Sequence, residues 1–323
     1  ISSPTSSVVI ANPSSTQTYN VQVTDGIGCV GTNTVMVTVN TPPTISASAG
    51  PSAICNGNST TLSATGVGVD TYVWNPGSLN GASQVVSPSS TTIYTVVGTN
   101  TLTGCSATST IAITVNALPT VNAGPSGTLT CSNPTYTLSG STTGGVTYSW
   151  VGPGIISGGT TLNPVVNAVG GYDLTVTSAA GCVAGPSPVV ISQNTVAPSP
   201  SASTSGTLTC STLTVALNGT PGTGVSYLWS GPGVSGSPTT QNTNANAAGS
   251  YTLKVTDAVN GCTNTAVTSV TQNTTTPTVS ASSNTTSICA GTSATLSASG
   301  IGVNTYVWNP GSLNGASQVV SPS

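Results

Sequence analysis

Eight cysteines carry most of the chemistry open to this chain, and their spacing repeats. Cys55, Cys131, Cys210 and Cys289 each lie 19 residues before a tryptophan, whereas Cys105, Cys182 and Cys262 lie 31, 32 and 33 residues after one. Cys29 has the later position in a repeat of which only the back half is present. With no C-x-x-C step and no histidine, two thiols per repeat point to disulfides rather than to zinc, haem or dithiol redox chemistry. Such bridges persist in an oxidising compartment, so the expected location is extracellular, at the cell surface.

Composition excludes most other chemistry. The chain has one lysine, Lys254, no arginine, no glutamate and four aspartates, Asp25, Asp70, Asp173 and Asp257. General acid–base catalysis needs groups that titrate near neutrality or paired carboxylates, and each repeat holds one isolated aspartate at most. Neither an enzyme nor a cofactor or metal site is expected. One cation in a chain of net charge −3 cannot grip phosphate, which argues against nucleic acid. No apolar run is long enough to span a membrane. Asp25, Asn100, Ser178 and Asp257 fall six residues after equivalent tyrosines. They read as turn residues that bond their own backbone, since calcium would need further carboxylates nearby. Lys254, between Leu253 and Val255 on an alternating stretch, should face solvent.

The aromatic residues follow the same register. Tyr72, Tyr148, Tyr227 and Tyr306 each stand two residues before Trp74, Trp150, Trp229 and Trp308, and a second set is Tyr19, Tyr94, Tyr172 and Tyr251. Residues two apart on a strand point to one side, so each Tyr-x-Trp pair can enter one core. An aromatic needed in every copy reads as packing rather than as a sugar-binding platform. Tyr136 alone has no counterpart and is the candidate sugar contact of the competing reading. Asn58, Asn218, Asn273 and Asn284 lie in Asn-x-Ser/Thr sequons, which makes surface glycans a candidate partner.

These positions are held by a module of about 78 residues copied along the chain. The text TYVWNPGSLNGASQVVSPS occupies 71–89 and returns unchanged at 305–323. Boundaries fall at Pro-containing joints, giving a back half-module 1–40, complete modules 41–117, 118–196 and 197–276, and a front half-module 277–323. In each, alternating apolar residues mark short strands. An opening strand such as 44–48 is followed by one at 59–65, the Tyr-x-Trp strand, a short strand at 84–87 and a closing hairpin such as 94–115. The closing hairpin recurs at 18–40, 172–191 and 251–270. Many short strands with turn signals between them and no helical periodicity predict an all-β chain of tandem immunoglobulin-like β-sandwiches in a linear array.

The Cys-x(18)-Trp spacing, the Gly-x-Tyr-x-(Leu/Val)-x-Val strands around Tyr172 and Tyr251 and the Gly-Cys step after the turn resemble PKD-like and Ig-like tandem repeats. Such repeats build giant secreted or cell-surface proteins, including gliding-motility-type adhesins associated with type IX secretion. The resemblance implies an adhesive or structural role and supplies no catalytic residue. It departs from the PKD type in lacking the acidic Trp-x-Phe-Gly-Asp-Gly segment, since Trp74 leads into Asn-Pro-Gly and the chain has no phenylalanine.

Two disulfide schemes remain open. A small module is marginal and a bridge over about 50 residues would stabilise it by roughly 4 kcal/mol, which favours bridges within modules, Cys55 to Cys105, Cys131 to Cys182 and Cys210 to Cys262, with Cys29 and Cys289 paired outside the sequence. If the two cysteines of a module lie at opposite poles, Cys55 with Cys182 and Cys131 with Cys262 would staple neighbours instead; the first scheme is the expectation. The half-modules at the ends are read as a window on a longer repetitive protein. Completion by another subunit meets an objection, because Val9-Ile10 and Val319-Val320 claim one strand position. The expected function is that of a non-catalytic extracellular filament or stalk supporting adhesion or matrix contact. Its partners would be further copies of its own modules or neighbouring filament chains. The alternative is a spacer or carbohydrate-binding stretch of a larger secreted enzyme.

Overall fold

The computed structural model describes residues 7–321, and among these every regular element longer than a turn is a strand. The chain forms two compact units, one holding residues up to Gly127 with Thr135–Ser192, the other Thr128–Pro134 with Gln193 onward. The short Thr128–Pro134 segment therefore belongs with the later unit, to which the Cys131–Cys262 bridge ties it.

In the first unit, residues 41–117 form a β-sandwich. One sheet runs in the order Thr44–Gly50, Thr60–Val67, Ser83–Val86; the other in the order Ala53–Cys55, Ser106–Asn116, Thr92–Thr99, Thr71–Asn75, Leu79–Asn80. Period-two alternation builds the core between them. Thr60, Leu62 and Ala64 point inward from one sheet, and Trp74, Tyr94, Val96 and Ile113 meet them from the other. Full burial of one Leu or Val side chain stabilises the fold by about 1.5–3 kcal/mol, so this small cluster carries most of the module's stability. The Trp74 indole N–H donates to the Gly81 carbonyl at 3.1 Å, so the largest core residue leaves no polar group unpaired.

The same plan recurs. In 118–196 the strand Gly170–Ser178 lies between Gly145–Val151 and Val183–Asn194, with Trp150, Tyr172, Leu174 and Val176 buried. In the second unit, Gly249–Asp257 lies between Val225–Ser230 and Thr263–Val270. It faces a sheet ordered Ser201–Thr204, Val215–Thr220, Asn242–Ala245, around a core of Leu217, Trp229, Tyr251 and Leu253. The Trp150 and Trp229 indoles donate to the carbonyls of Thr161 and Gln241 at 3.0 and 3.2 Å.

The two half-modules each hold only part of a sandwich. Gln17–Thr24 pairs with Val30–Val37 as an isolated hairpin, whose Val21 and Val35 are 57% and 61% exposed. Residues 277–323 form the sheet Thr278–Ser283, Ala294–Ile301, Ser317–Val320 and the short pair Val307–Trp308 with Leu313–Asn314. Trp308 is therefore only half-buried and Tyr19 likewise, whereas their counterparts Trp74 and Tyr94 are core. The core assignment of Tyr19 and Trp308 is corrected on this point: neither half brings both complete sheets that burial requires.

Candidate functional site: the joints between modules

The turn of each closing hairpin is built the same way. Asp25 Oδ1 accepts from the Ile27 and Cys29 amides at 3.0 and 2.8 Å, Asn100 Oδ1 from Leu102 and Thr103 at 3.1 and 3.0 Å, and Asp257 Oδ1 from Val259 and Asn260 at 2.8 and 2.9 Å. Ser178 Oγ accepts from the Cys182 amide at 3.1 Å. These side chains act as turn closers. The glycine before each of the four later cysteines has a positive φ, from +69° at Gly261 to +91° at Gly28, a conformation that reverses the chain just ahead of the cysteine.

The earlier cysteine is set at the other end. Ala53–Cys55 pairs in parallel with the last residues of Ser106–Asn116, with Cys55 opposite Asn116. Cys105 immediately precedes that 11-residue strand. At about 3.3 Å per residue the two thiols of one module lie roughly 35 Å apart, far beyond disulfide reach. In 197–276, Leu208–Thr209 pairs with Gln272–Asn273 after the strand that begins next to Cys262, which separates Cys210 from Cys262 in the same way.

The bridges accordingly join neighbours. Cys55 is bonded to Cys182 with a Cα–Cα distance of 5.6 Å, and Cys131 to Cys262 with 5.0 Å. This overturns the expected pairs Cys55–Cys105, Cys131–Cys182 and Cys210–Cys262. Cys105 and Cys210 are free, as are Cys29 and Cys289. The need of a small module for its own staple favoured the first scheme, but the strand length between the poles decides for the second.

Around Cys131–Cys262 a polar clasp completes the joint. Asn260, 2% exposed, donates from its side-chain amide to Asn194 Oδ1 at 3.0 Å and to the Val196 carbonyl at 2.8 Å. Its Oδ1 accepts from the Cys262 amide at 2.8 Å, and its own carbonyl accepts from the Ser132 amide at 3.2 Å. A buried amide with these partners satisfied fixes an orientation rather than merely a proximity. The next residue, Gly261, approaches so closely that a Cβ there would sit 2.7 Å from Ser132 Cβ. Sequence reading missed Asn260; its one signal was an Asn-Gly step in a hairpin loop one residue longer than that of 118–196.

The remaining candidates fall outside this joint. Tyr136 is half-buried with its ring over Gly127, where an added Cβ would meet it at 2.4 Å, so the ring serves packing. Trp74, Trp150 and Trp229 are interior and form no exposed platform. Lys254 is exposed, and Asn58, Asn218, Asn273 and Asn284 are all at the surface. Among the described residues no group of three or more acidic, histidine or cysteine side chains could hold a metal, and no helix is long and apolar enough to cross a membrane.

No protein-family model and no curated protein matches the sequence. Among solved structures, the chain is similar to the I-band fragment I67-I69 from titin, at 16% identity and a TM-score of 0.35, over 73% of this chain and all of that one. It is also similar to the N-terminal eight Ig domains of the Down syndrome cell adhesion molecule, at 15% and 0.25 over 90% of this chain and 50% of that one. Immunoglobulin domains 1-5 of Sidekick-1 match at 13% and 0.28, over 81% of this chain and 68% of that one. The fold is read from the sheets and cores above; these distant likenesses supply no function.

Proposed function

We propose that this chain is a non-catalytic structural repeat protein of the extracellular space, in which joined β-sandwich modules form a filament or stalk that supports cell-surface adhesion or matrix contact. The observation that carries the reading is the disulfide pattern: both bridges cross from one module to the next, and neither closes a module on itself. A bridge inside a domain stabilises that domain, whereas a bridge across a joint transmits tension and limits bending. Oxidised cysteines also favour a compartment outside the reducing cytosol. The scarcity of charge fits a scaffold whose contacts vary little with salt or pH.

Single-molecule extension tests this. With both bridges closed, the shortest covalent path from residue 41 to residue 276 runs through 55, 182, 131 and 262, about 80 residues of chain rather than about 235. Extension between handles at residues 41 and 276 of the oxidised protein should therefore stop at about a third of the reduced value. Equal extension before and after reduction would show that the bridges carry no tension.

A further inference from the structure

We infer that Asn56 is a self-modifying site: its side-chain amide is lost to attack by the Gly57 nitrogen, and the residue becomes a mixture of isoaspartate and aspartate without any enzyme. The inference stands apart from the filament reading and concerns the turn beside the Cys55–Cys182 bridge. It follows from a comparison of the five Asn-Gly steps of the chain, which begin at Asn56, Asn80, Asn218, Asn260 and Asn314.

An Asn-Gly step reacts when the glycine N–H is free to give up its proton and its nitrogen can reach the asparagine Cγ. Glycine has no Cβ to obstruct that approach. The nitrogen bonds to Cγ, the bond from Cγ to Nδ2 breaks, and ammonia leaves carrying the displaced proton, which closes a five-membered succinimide. Water then opens the ring at one of its two carbonyls. Cleavage of the bond to Cγ gives aspartate. Cleavage of the original main-chain bond gives isoaspartate, in which the chain runs through Cβ and Cγ and the former main-chain carbonyl becomes a carboxylate. The net change is water in and ammonia out, so no oxidant, reductant or cofactor is needed. A glycine N–H already held by an acceptor must first lose that hydrogen bond, which slows the step.

Four of the five steps are protected in this way. Gly81 donates to the Tyr72 carbonyl at 2.9 Å, Gly315 to the Tyr306 carbonyl at 3.0 Å and Gly261 to the Asp257 carbonyl at 3.0 Å. Gly219 donates to Asn242 Oδ1 at 3.1 Å, within a strand paired on both sides. The Asn260 side chain is in addition buried, its amide donated to Asn194 and Val196. The step at Asn56 has none of this. Asn56 and Gly57 are both exposed, in a turn closed by the Asn58 amide on the Cys55 carbonyl at 3.0 Å. Among the described residues nothing accepts from the Gly57 N–H, and the Asn56 side chain makes no hydrogen bond. Gly57 has a φ of +90°, and no atom lies within 4 Å of the place a Cβ would take, so the succinimide has room to form.

The product changes the joint locally. Asn56 N–H donates to the Asn116 carbonyl at 2.9 Å, and the reaction spares that nitrogen, so the bond beside Cys55 is kept. The methylene inserted into the main chain of the isoaspartate lengthens the turn from Cys55 to Asn58. A carboxylate also appears one residue from Cys55. In a chain of formal charge −3 with a single cation, that is a large relative change, and it accumulates with the age of the protein.

The test holds the full oxidised chain at mildly alkaline pH below its melting temperature, digests timed samples with pepsin in acid, and reads each Asn-Gly peptide by mass spectrometry with electron-transfer fragmentation. The expected result is an amide-to-acid change at Asn56 at least about tenfold faster than at each of the other steps, because one hydrogen bond to be broken slows those by about that factor. The product at this position should be a mixture of isoaspartate and aspartate. In the reduced, urea-unfolded chain all five steps should react alike, which gives the reference rate. Asn56→Gln, whose attack would need a larger ring, should remove the first acidic band on isoelectric focusing and leave the circular dichroism unchanged. An Asn56 amide that persists in the folded chain while the unfolded reference loses its amides would overturn the inference. Equal rates at all five steps of the folded chain, or an acidic band that survives in Asn56→Gln, would do so too. None of these outcomes touches the two bridges, so the filament reading is judged separately by the extension measurement.

Discussion

The stretches 71–89 and 305–323 are the same nineteen residues in two different states. In the first, Trp74 is fully buried, whereas in the second Trp308 stands half open although its indole makes the same hydrogen bond, to Gly315 at 3.0 Å. Local conformation, including that bond and the strand pair beside it, is therefore written into the nineteen residues themselves. Burial is not. It comes from the hairpin 92–116, which supplies Tyr94, Val96 and Ile113. A strand pattern fixes which side chains are offered to a core, and the opposing sheet decides whether a core exists.

The comparison can be broken most directly at the tryptophans. Trp74→Ala should cost about 3–5 kcal/mol, the range for emptying a large buried site. Trp308→Ala in the single chain should cost well under about 1 kcal/mol, since its site is already open. Urea unfolding followed by circular dichroism measures both, and equal losses would mean that 277–323 is closed in solution. The cysteines give the next largest contrast. Cys55→Ser opens a sealed joint and should lower stability by about 3 kcal/mol, while Cys105→Ser, which removes a free thiol, should change the single chain by less than about 0.5 kcal/mol. A large loss from Cys105→Ser would show that the thiol has a partner.

The contrast also marks what can be read from sequence. The closing hairpins at 92–116, 170–194 and 249–270 were legible, because alternating Tyr, Val and Leu around a Gly-Cys turn leave little choice of period or face. The Tyr-x-Trp strand was legible for the same reason. Bridge partners were legible only as the less favoured of two schemes, because Cys55 and Cys105 are close in sequence and far in space once an extended strand lies between their poles. Asn260 was less legible still. Its value comes from Asn194 and Val196, more than 60 residues away, and nothing local announces that they will arrive at one point.

That clasp supports a smaller prediction. Asn260→Ala leaves the Cys262 amide and the Val196 carbonyl without their partner in a buried place, a loss of about 2 kcal/mol. The readout that separates this from a general defect is the disulfide: Cys131–Cys262 should become more easily reduced by dithiothreitol while Cys55–Cys182 keeps its rate. Equal rates for both bridges would leave Asn260 a packing residue only.

The smallest effect concerns pH and falls on a closed module. Burial pushes the Tyr172 phenol above its ordinary value, because the phenolate would lose its hydration in the core. Its hydroxyl is held by the Ala168 carbonyl at 2.6 Å, a donor role that requires the proton. The unfolded chain ionises this tyrosine near pH 10, whereas the folded chain retains the proton to higher pH. The unfolded state then binds fewer protons, so stability is complete below about pH 10 and falls as pH rises through the folded value. The melting temperature should therefore hold a plateau below about pH 10 and drop in alkali. Tyr172→Phe should flatten the alkaline fall while lowering the plateau through loss of the hydrogen bond. An alkaline limb that keeps its slope in the variant would assign the titration to another group.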